Sequence, residues 1–362
     1  MKQIYFFIGT EAELIKIFPV IIECQTGGVV CHIIASGQND LKKSRILQYI
    51  QLNGKILELS QEESIIKSAK GLLHWFLKTK KYAVPMIKKE FGNLQGRYLI
   101  VHGDTVSTMM GAMLGRKLGM QICHVEAGLR SYHLFNPFPE EIDRLITSKL
   151  ARVHFAPGEE PVYNLRNAKG EVINTQYNTI LDSLAFSHDI PVITDELDKI
   201  LGQDYFVFVM HRQENLVNAE FVKNVVEKVK HYSKEKKCIL ILHKITENTF
   251  SDLGILDELK RNERFVLLPR VDYFDFMKLL QQSQFVITDG GSNQEELHYM
   301  GKPCLIMRKT TERNEGIGEN AVLFKGDLNF VDAFAKNYKK YEKTMYLEMA
   351  SPSKIIANRL LH

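Results

Sequence analysis

Three carboxylates and two histidines, each set just after an apolar run or at a helix start, are the residues of this chain whose type and spacing could move protons. The carboxylates are Asp104, Glu126 and Glu140, in the stretch from Val101 to Arg144. Tyr98–Val101 reads as a buried strand ending in His102-Gly103-Asp104. Gln121–Val125 reads as a second strand, ending in Glu126-Ala127-Gly128, and the segment from Pro137 to Glu141 opens a helix. In an open parallel sheet ligands sit beyond the carboxyl ends of the strands, so acids at successive strand ends point into one crevice. Carboxylates crowded where water is scarce drive their pKa values apart, which separates an acid from a base. Each also has a structural use. Asp104 suits the cap of the next helix. A Glu between Val125 and Ala127 would be buried, and buried Glu is paired or functional. Acids in a first helical turn suit the dipole, which accounts for one of Glu140 and Glu141. Arg144, four residues after Glu140, shares its helix face as a salt-bridge partner or a phosphate ligand.

A second set of residues suits anion binding. Gly9-Thr10-Glu11-Ala12-Glu13-Leu14-Ile15-Lys16 is a strand-to-helix turn, whose free amides attract an anion that Lys16 could also reach. His211 and His243 end successive strands in the second half, as phosphate ligands or acids. Asp289-Gly290-Gly291-Ser292-Asn293-Gln294-Glu295-Glu296 is a strand end, two glycines and a helix start. Gly290, Gly291 and Ser292 there make a plausible pyrophosphate seat, and Glu296 could accept from ribose hydroxyls. Gly301-Lys302-Pro303 comes next, then Arg308-Lys309-Thr310-Thr311-Glu312-Arg313, of which Arg313 and the two threonines suit a diphosphate or sugar. No cluster has metal-ligand spacing, and neither a G-x-x-x-x-G-K-[ST] loop nor a G-x-S-x-G elbow occurs.

The elements that must hold these residues alternate. Strands are expected at Gln3–Gly9, Val29–Ser36, Arg97–Val101, Gln121–Val125 and Val153–Ala156, with helices at Glu11–Cys24, Leu41–Ile50, Glu63–Phe91 and Val106–Leu118. The rhythm restarts after about Ser187, with strands Tyr205–Met210, Cys238–His243, Phe265–Leu268, Phe285–Thr288 and Pro303–Met307. Helices are expected near Asn218–Tyr232, Tyr273–Gln281 and Asn293–Met300, and a long basic one over Phe330–Leu361. This alternation argues for parallel doubly wound sheets. The expectation is α/β, two Rossmann-like domains facing a cleft, 1–185 and 186–362. The first carries the carboxylates and the second the nucleotide.

Bulk properties narrow the field. Single cores stop growing at about 250–300 residues, so 362 residues imply two domains. A balance of 47 basic and 43 acidic residues, net +4, is too small for a nucleic-acid footprint. No apolar run of about 18 residues indicates a membrane span. The N-terminus lacks the apolar core of a signal peptide. The five cysteines are odd in number and scattered through apolar runs, which reads as reduced core residues and a cytoplasmic protein.

Together these segments resemble the non-hydrolysing UDP-N-acetylglucosamine 2-epimerases, from Gly9 to about Arg313. VHGDT, HVEAGLR, PEE-x-x-R, H-R-x-E-N, Q-E-E, GKP and TTER stand in that family's order and spacing, and Asn178 to Leu184 resembles its interdomain segment. The resemblance implies a GT-B fold, with the final helix crossing back to the first domain. It implies removal of the C2 proton while UDP leaves C1, then re-addition of UDP with a proton delivered to the opposite face of C2. Neither a nicotinamide nor a metal cofactor is implied. It assigns proton transfer to Asp104, Glu126 and Glu140 as a group and assistance of the leaving diphosphate to His211. Lys16, Arg144, His243, Gly290, Gly291, Ser292, Glu296 and Arg313 would hold the UDP-sugar. A homodimer and surface polysaccharide synthesis are further implications.

The chain departs from the family pattern at three places. Glu11 and Ala12 stand where the family usually has Arg-Pro. Gly290-Gly291-Ser292-Asn293 replaces Ser-Gly-Gly-Ile, moving the hydroxyl by two positions. Gln38-Asn39-Asp40-Leu41-Lys42 replaces the activator segment Gln-His-Arg-Glu-Met, and no downstream partners stand between Ser64 and Leu73, so activation by UDP-N-acetylglucosamine is expected to be weak or absent. The other readings are a 2-epimerase of a deoxy UDP-2-acetamido sugar, a GT-B glycosyltransferase, a hydrolytic epimerase and an inactive nucleotide-sugar binder.

Overall fold

The structure, a computed structural model, describes residues 2–60, 69–132, 139–191, 195–311, 314–345 and 350–362. The chain divides into two compact units, residues 1–183 with 350–362, and residues 184–349.

The first unit holds seven strands, β1 (Gln3–Ile8), β2 (Val30–Ala35), β3 (Ile56–Glu58), β4 (Tyr98–His102), β5 (Gln121–Val125), β6 (Val153–Ala156) and β7 (Glu171–Asn174). They lie in the order β3-β2-β1-β4-β5-β6-β7, every neighbouring pair parallel. The second holds β8 (Tyr205–Val209), β9 (Lys237–Leu242), β10 (Phe265–Pro269), β11 (Val286–Thr288), β12 (Cys304–Ile306) and β13 (Ala321–Leu323). Their order is β10-β9-β8-β11-β12-β13, again all parallel. Helices cover both faces of a parallel sheet, which is why its central strands are apolar throughout. Tyr5, Phe6 and Phe7 of β1 and Phe206 and Phe208 of β8 are fully buried.

Strand order reverses between β1 and β4 in the first sheet and between β8 and β11 in the second. At such a switch point the loops after the two central strands diverge and leave a crevice. Gly9 to Lys16 and His102 to Asp104 follow the first pair of strands, and His211 and Asp289 to Ser292 the second.

Three strands escape the sequence pattern, β3, β7 and β13, and all three are sheet edges. An edge strand is covered on fewer sides, so Ile56–Glu58 and Glu171–Asn174 lack the apolar run that marks the others. The C-terminal region differs more. The single helix expected over Phe330–Leu361 is two, Asn329–Asn337 and Pro352–Leu361, with a 3-10 turn at Tyr338–Tyr341. Ser351 caps the Lys354 amide and Pro352 sits at the first helical position, a start signal that a continuous helix could not contain. The last helix packs on Glu11–Thr26, where the Leu361 carbonyl accepts from Lys2 Nζ at 2.8 Å. Its Ser353 amide donates to Asp182 at 2.7 Å. All five cysteines are buried and unpaired. Among the described residues no helix is long and apolar enough to cross a membrane.

Candidate active site

At the rim of the first sheet the carboxylates are in three different states. Asp104 does not cap the following helix. Thr105 does, accepting from the Thr108 amide, and this leaves the Asp104 carboxylate to the Arg144 guanidinium. Arg144 also lies 3.6 Å from Glu141, so it serves the site as an ion-pair partner. Glu126 is buried and paired. Its Oε2 accepts from Lys16 Nζ at 2.6 Å and from Asn178 Nδ2 at 2.7 Å. His102 Nε2 lies 3.2 Å from the same oxygen, but its geometry is not that of a hydrogen bond. Glu126 also has φ of 61°, in the left-handed region. A non-glycine residue there costs about 1–2 kcal/mol, strain that Lys16 and Asn178 help to hold.

Glu140 and Glu141 are placed differently. Glu141, 1% exposed, is saturated, accepting from the Ser131 amide at 2.9 Å, from Ser131 Oγ at 3.1 Å and from Arg130. Burial alone would raise its pKa, but these donors hold it below the usual range. Glu140 Oε2 is buried with no hydrogen-bond partner among the described residues. An unsatisfied buried carboxyl oxygen costs about 1–3 kcal/mol, and active sites are where such groups are tolerated.

The sequence pattern does not single out four further residues here. Glu13 is buried and accepts from the Gly9 amide at 2.6 Å and from Thr105, tying the turn after β1 to that after β4. Its signal was legible: a Glu three residues after Thr10 is a capping box. Burial raises the Glu13 carboxyl. Asn178 reaches Glu126 from 52 residues away, which no local pattern announces. Fully buried His124 stands 2.7 Å from the Gly103 carbonyl, fixing the turn that presents Asp104. Burial lowers it to about 3, so it stays neutral. Asp143, one turn beyond Glu140, is almost fully buried, and burial with the charges of Asp104 and Glu140 raises it to about 7.

The rim of the second sheet is built differently. The rings of His211 and His243 stack, 4.4 Å apart at 19°. Asp289, fully buried, accepts from the His211 amide at 3.0 Å, the Arg212 amide at 2.9 Å and Asn215 Nδ2 at 3.0 Å. It organises the turn after β8 and stands 3.3 Å from His211 Nδ1. Burial lowers both imidazoles, His243 to about 4, so both are neutral near pH 7. A diphosphate arriving beside them would favour the protonated form.

Gly290 caps the helix Gly291–Tyr299 without a side-chain hydrogen bond to its first amides. A Cβ on Gly290 would come within 3.1 Å of His211 Cε1 and 2.6 Å of Asn293 Oδ1, so the glycine is there for close approach. Gly291 and Ser292 form the helix start, and Glu296, buried in its second turn, accepts from Asn293 Nδ2 at 3.0 Å. Thr311 donates to Gln294 at 2.9 Å, while Lys302 donates to the Ser283 carbonyl at 2.7 Å and so braces the fold. Arg313, Glu312 and most of the segment from Ser64 to Leu73 lie outside the described residues or have side chains that do. Among the described residues no group of His, Cys, Asp or Glu is placed to hold a metal ion.

Two parallel doubly wound sheets, each with polar residues gathered at its switch point, are the architecture of a GT-B type protein. The profile of the UDP-N-acetylglucosamine 2-epimerase family matches residues 26–352, and the chain belongs to that family. A UDP-N-acetylglucosamine 2-epimerase of Methanocaldococcus jannaschii is 29% identical over 329 residues, 88% of this chain and 87% of that protein. The structure of the M. jannaschii UDP-GlcNAc 2-epimerase in complex with UDP-GlcNAc and UDP has a TM-score of 0.78 at 26% identity, covering 99% of each chain. That of the Neisseria meningitidis enzyme bound to UDP-GlcNAc has a TM-score of 0.80 at 26% identity, covering 100% of each.

Proposed function

We propose that this chain inverts C2 of UDP-N-acetylglucosamine to give UDP-N-acetylmannosamine, by elimination of UDP and its re-addition. Family membership makes epimerisation the activity and isomerase the class. The observation that carries the mechanism is the division among the carboxylates: Asp104 and Glu126 are held by cations, while Glu140 has a buried oxygen with no partner among the described residues.

In this reading Glu140 takes the C2 proton. The C2–H electron pair becomes the C1–C2 double bond and the C1–O bond breaks, releasing UDP and a 2-acetamidoglucal. Re-addition reverses these changes, with a proton delivered to the other face of C2 by another of the three acids. Asp104 and Glu126 are the candidates; the cation beside each favours its carboxylate form, so the one that delivers the proton first takes it up from solvent. His211 donates to the departing diphosphate, and His243 backs it. The amides at Gly291 and Ser292 hold phosphate oxygens, next to Gly290, whose own amide donates to Thr288 Oγ1 at 3.0 Å and whose missing Cβ leaves room for close approach, and Glu296 holds a ribose hydroxyl. Lys16, Arg144 and Arg313 complete the expected ligand set, with Lys16 and Arg144 acting through the carboxylates they pair. Cytoplasmic surface-polysaccharide synthesis by a homodimer, without strong activation by substrate, completes the proposal; a sigmoidal substrate dependence would count against its last part.

Proton NMR of the purified protein with UDP-N-acetylglucosamine in D2O tests the reaction. Deuterium at C2 together with signals of the manno epimer is the expected result. Bound UDP with an unchanged sugar spectrum would reject this substrate and turn attention to a deoxy 2-acetamido relative.

A further inference from the structure

We infer that Asp143 is a positioning residue for the proton transfer: it keeps its own proton one helical turn from Glu140, and thereby leaves Glu140 as the base at this rim. This rests on the epimerase reading and deepens it.

Asp143 and Glu140 are three residues apart on the helix Glu140–Leu150, and residues so spaced are neighbours on one face. Asp143 is 2% exposed. Its Oδ2 and Glu140 Oε2 are both buried, and neither has a hydrogen-bond partner among the described residues. Two orphaned carboxyl oxygens on one turn are a poor arrangement if both groups are ionised, since each carries a desolvation penalty and they repel. A proton kept on Asp143 removes one of the two charges and with it the repulsion. Like-charged carboxyls sharing a site behave in this way, one keeping its proton well above the ordinary range.

The surrounding charges do not supply an alternative. The Arg144 guanidinium is committed to Asp104 and Glu141. Glu141 is held by Arg130 and Ser131. The helix Val106–Lys117, which packs on this one, carries its cations Arg116 and Lys117 in its last turn. From β5, which also packs here, His124 is neutral. Asp104 and Glu140 are the charges that act on Asp143, and with burial they raise it to about 7.

The retained proton has a kinetic consequence. Once Asp143 ionises, Glu140 is left beside a second buried negative charge, and the division of acid from base is lost. Turnover of the parent protein should fall about tenfold per pH unit above pH 7, as expected for loss of one essential proton. Asp143→Asn keeps the shape and a donor but cannot ionise, so its profile should be flat through pH 9. An Asn variant that retains the alkaline limb overturns the inference.

A second measurement needs no substrate. The Asp143 carboxyl carbon, followed by 13C NMR in the free protein, should titrate near pH 7, and a midpoint below 5 overturns the retained proton. Absence of turnover by the parent protein would strike the epimerase reading, and the carbon titration would still decide the state of Asp143.

Discussion

The rims of the two sheets share a topology and differ in chemistry. Both place their residues at the reversal of strand order, after β1 and β4 in one sheet and after β8 and β11 in the other. The first rim gathers carboxyl groups and divides them among cations, donors and one another. The second uses its buried carboxylates to build the rim itself, Asp289 organising the turn after β8 and Glu296 holding Asn293, with two neutral imidazoles and a helix start beside them. In the proposed reading the same kind of sheet edge moves protons in one unit and receives an anion in the other, according to the side chains at its strand ends. Burial moves the two sets in opposite senses, since it disfavours whichever form is charged. It raises Glu13 and Asp143 and lowers His211 and His243.

The sharpest way to break this comparison is to remove an acid from the first rim. Glu140→Gln should lower turnover by about 10²–10⁴-fold, the range for loss of a general acid or base, with UDP affinity little changed. Glu126→Gln should also cut turnover and spare UDP binding, read by calorimetry; if it abolishes UDP binding and spares turnover, the roles of the two rims are reversed. His211→Asn should weaken both turnover and UDP affinity, because the proposed role of His211 is toward the anion as well as the reaction.

Next in size is the ion pair beneath the first rim. Lys16→Met leaves the buried Glu126 carboxylate without its cation, which costs about 3–5 kcal/mol in comparable cases. A denaturant midpoint lowered far more by Lys16→Met than by the double change Lys16→Met with Glu126→Gln would establish the pair. Equal effects would mean that Lys16 acts by packing.

A smaller effect separates the rims by pH. His243 is neutral in the folded protein down to about pH 4, while an unfolded chain takes up that proton near 6.5. Its contribution to stability is therefore lost as pH falls from about 6.5 to 4. Asp143 has the opposite sign. Folded, it keeps its proton to about pH 7, whereas unfolded it ionises near 3.8, so stability falls as pH rises through that window. Urea midpoints between pH 4 and 7.5 should show His243→Asn flattening the acid loss and Asp143→Asn raising stability above pH 7. Parallel shifts from the two variants would contradict the contrast. Glu11→Arg should have the least effect, tightening UDP-N-acetylglucosamine by about fivefold or less, the scale of a solvent-screened ion pair. Weaker binding would place Glu11 in the site of a different ligand.

Much of the architecture was legible because a parallel sheet writes itself into a sequence. Strands buried on both faces must be apolar throughout, so the first polar residues after an apolar run mark a strand end. That logic found the central strands of both sheets and with them Asp104, Glu126, His211, His243 and the Gly290–Ser292 turn. It failed where burial is incomplete, at the edges β3, β7 and β13. It failed again near the C-terminus, where an apolar periodicity on either side of Ser351 and Pro352 concealed a break.

What the sequence alone determined is which residues arrive at each rim, since position along a strand is a local property and strand ends are marked by composition. What only the tertiary structure decided is the state in which they arrive. Lys16 meets Glu126 across 110 residues, Asn178 meets it across 52, and Arg144 turns to Asp104 on another element. Ionisation depends on burial and on neighbours a few ångströms away, and those neighbours are distant in the chain. The sequence therefore names the acids, and the fold distributes their protons.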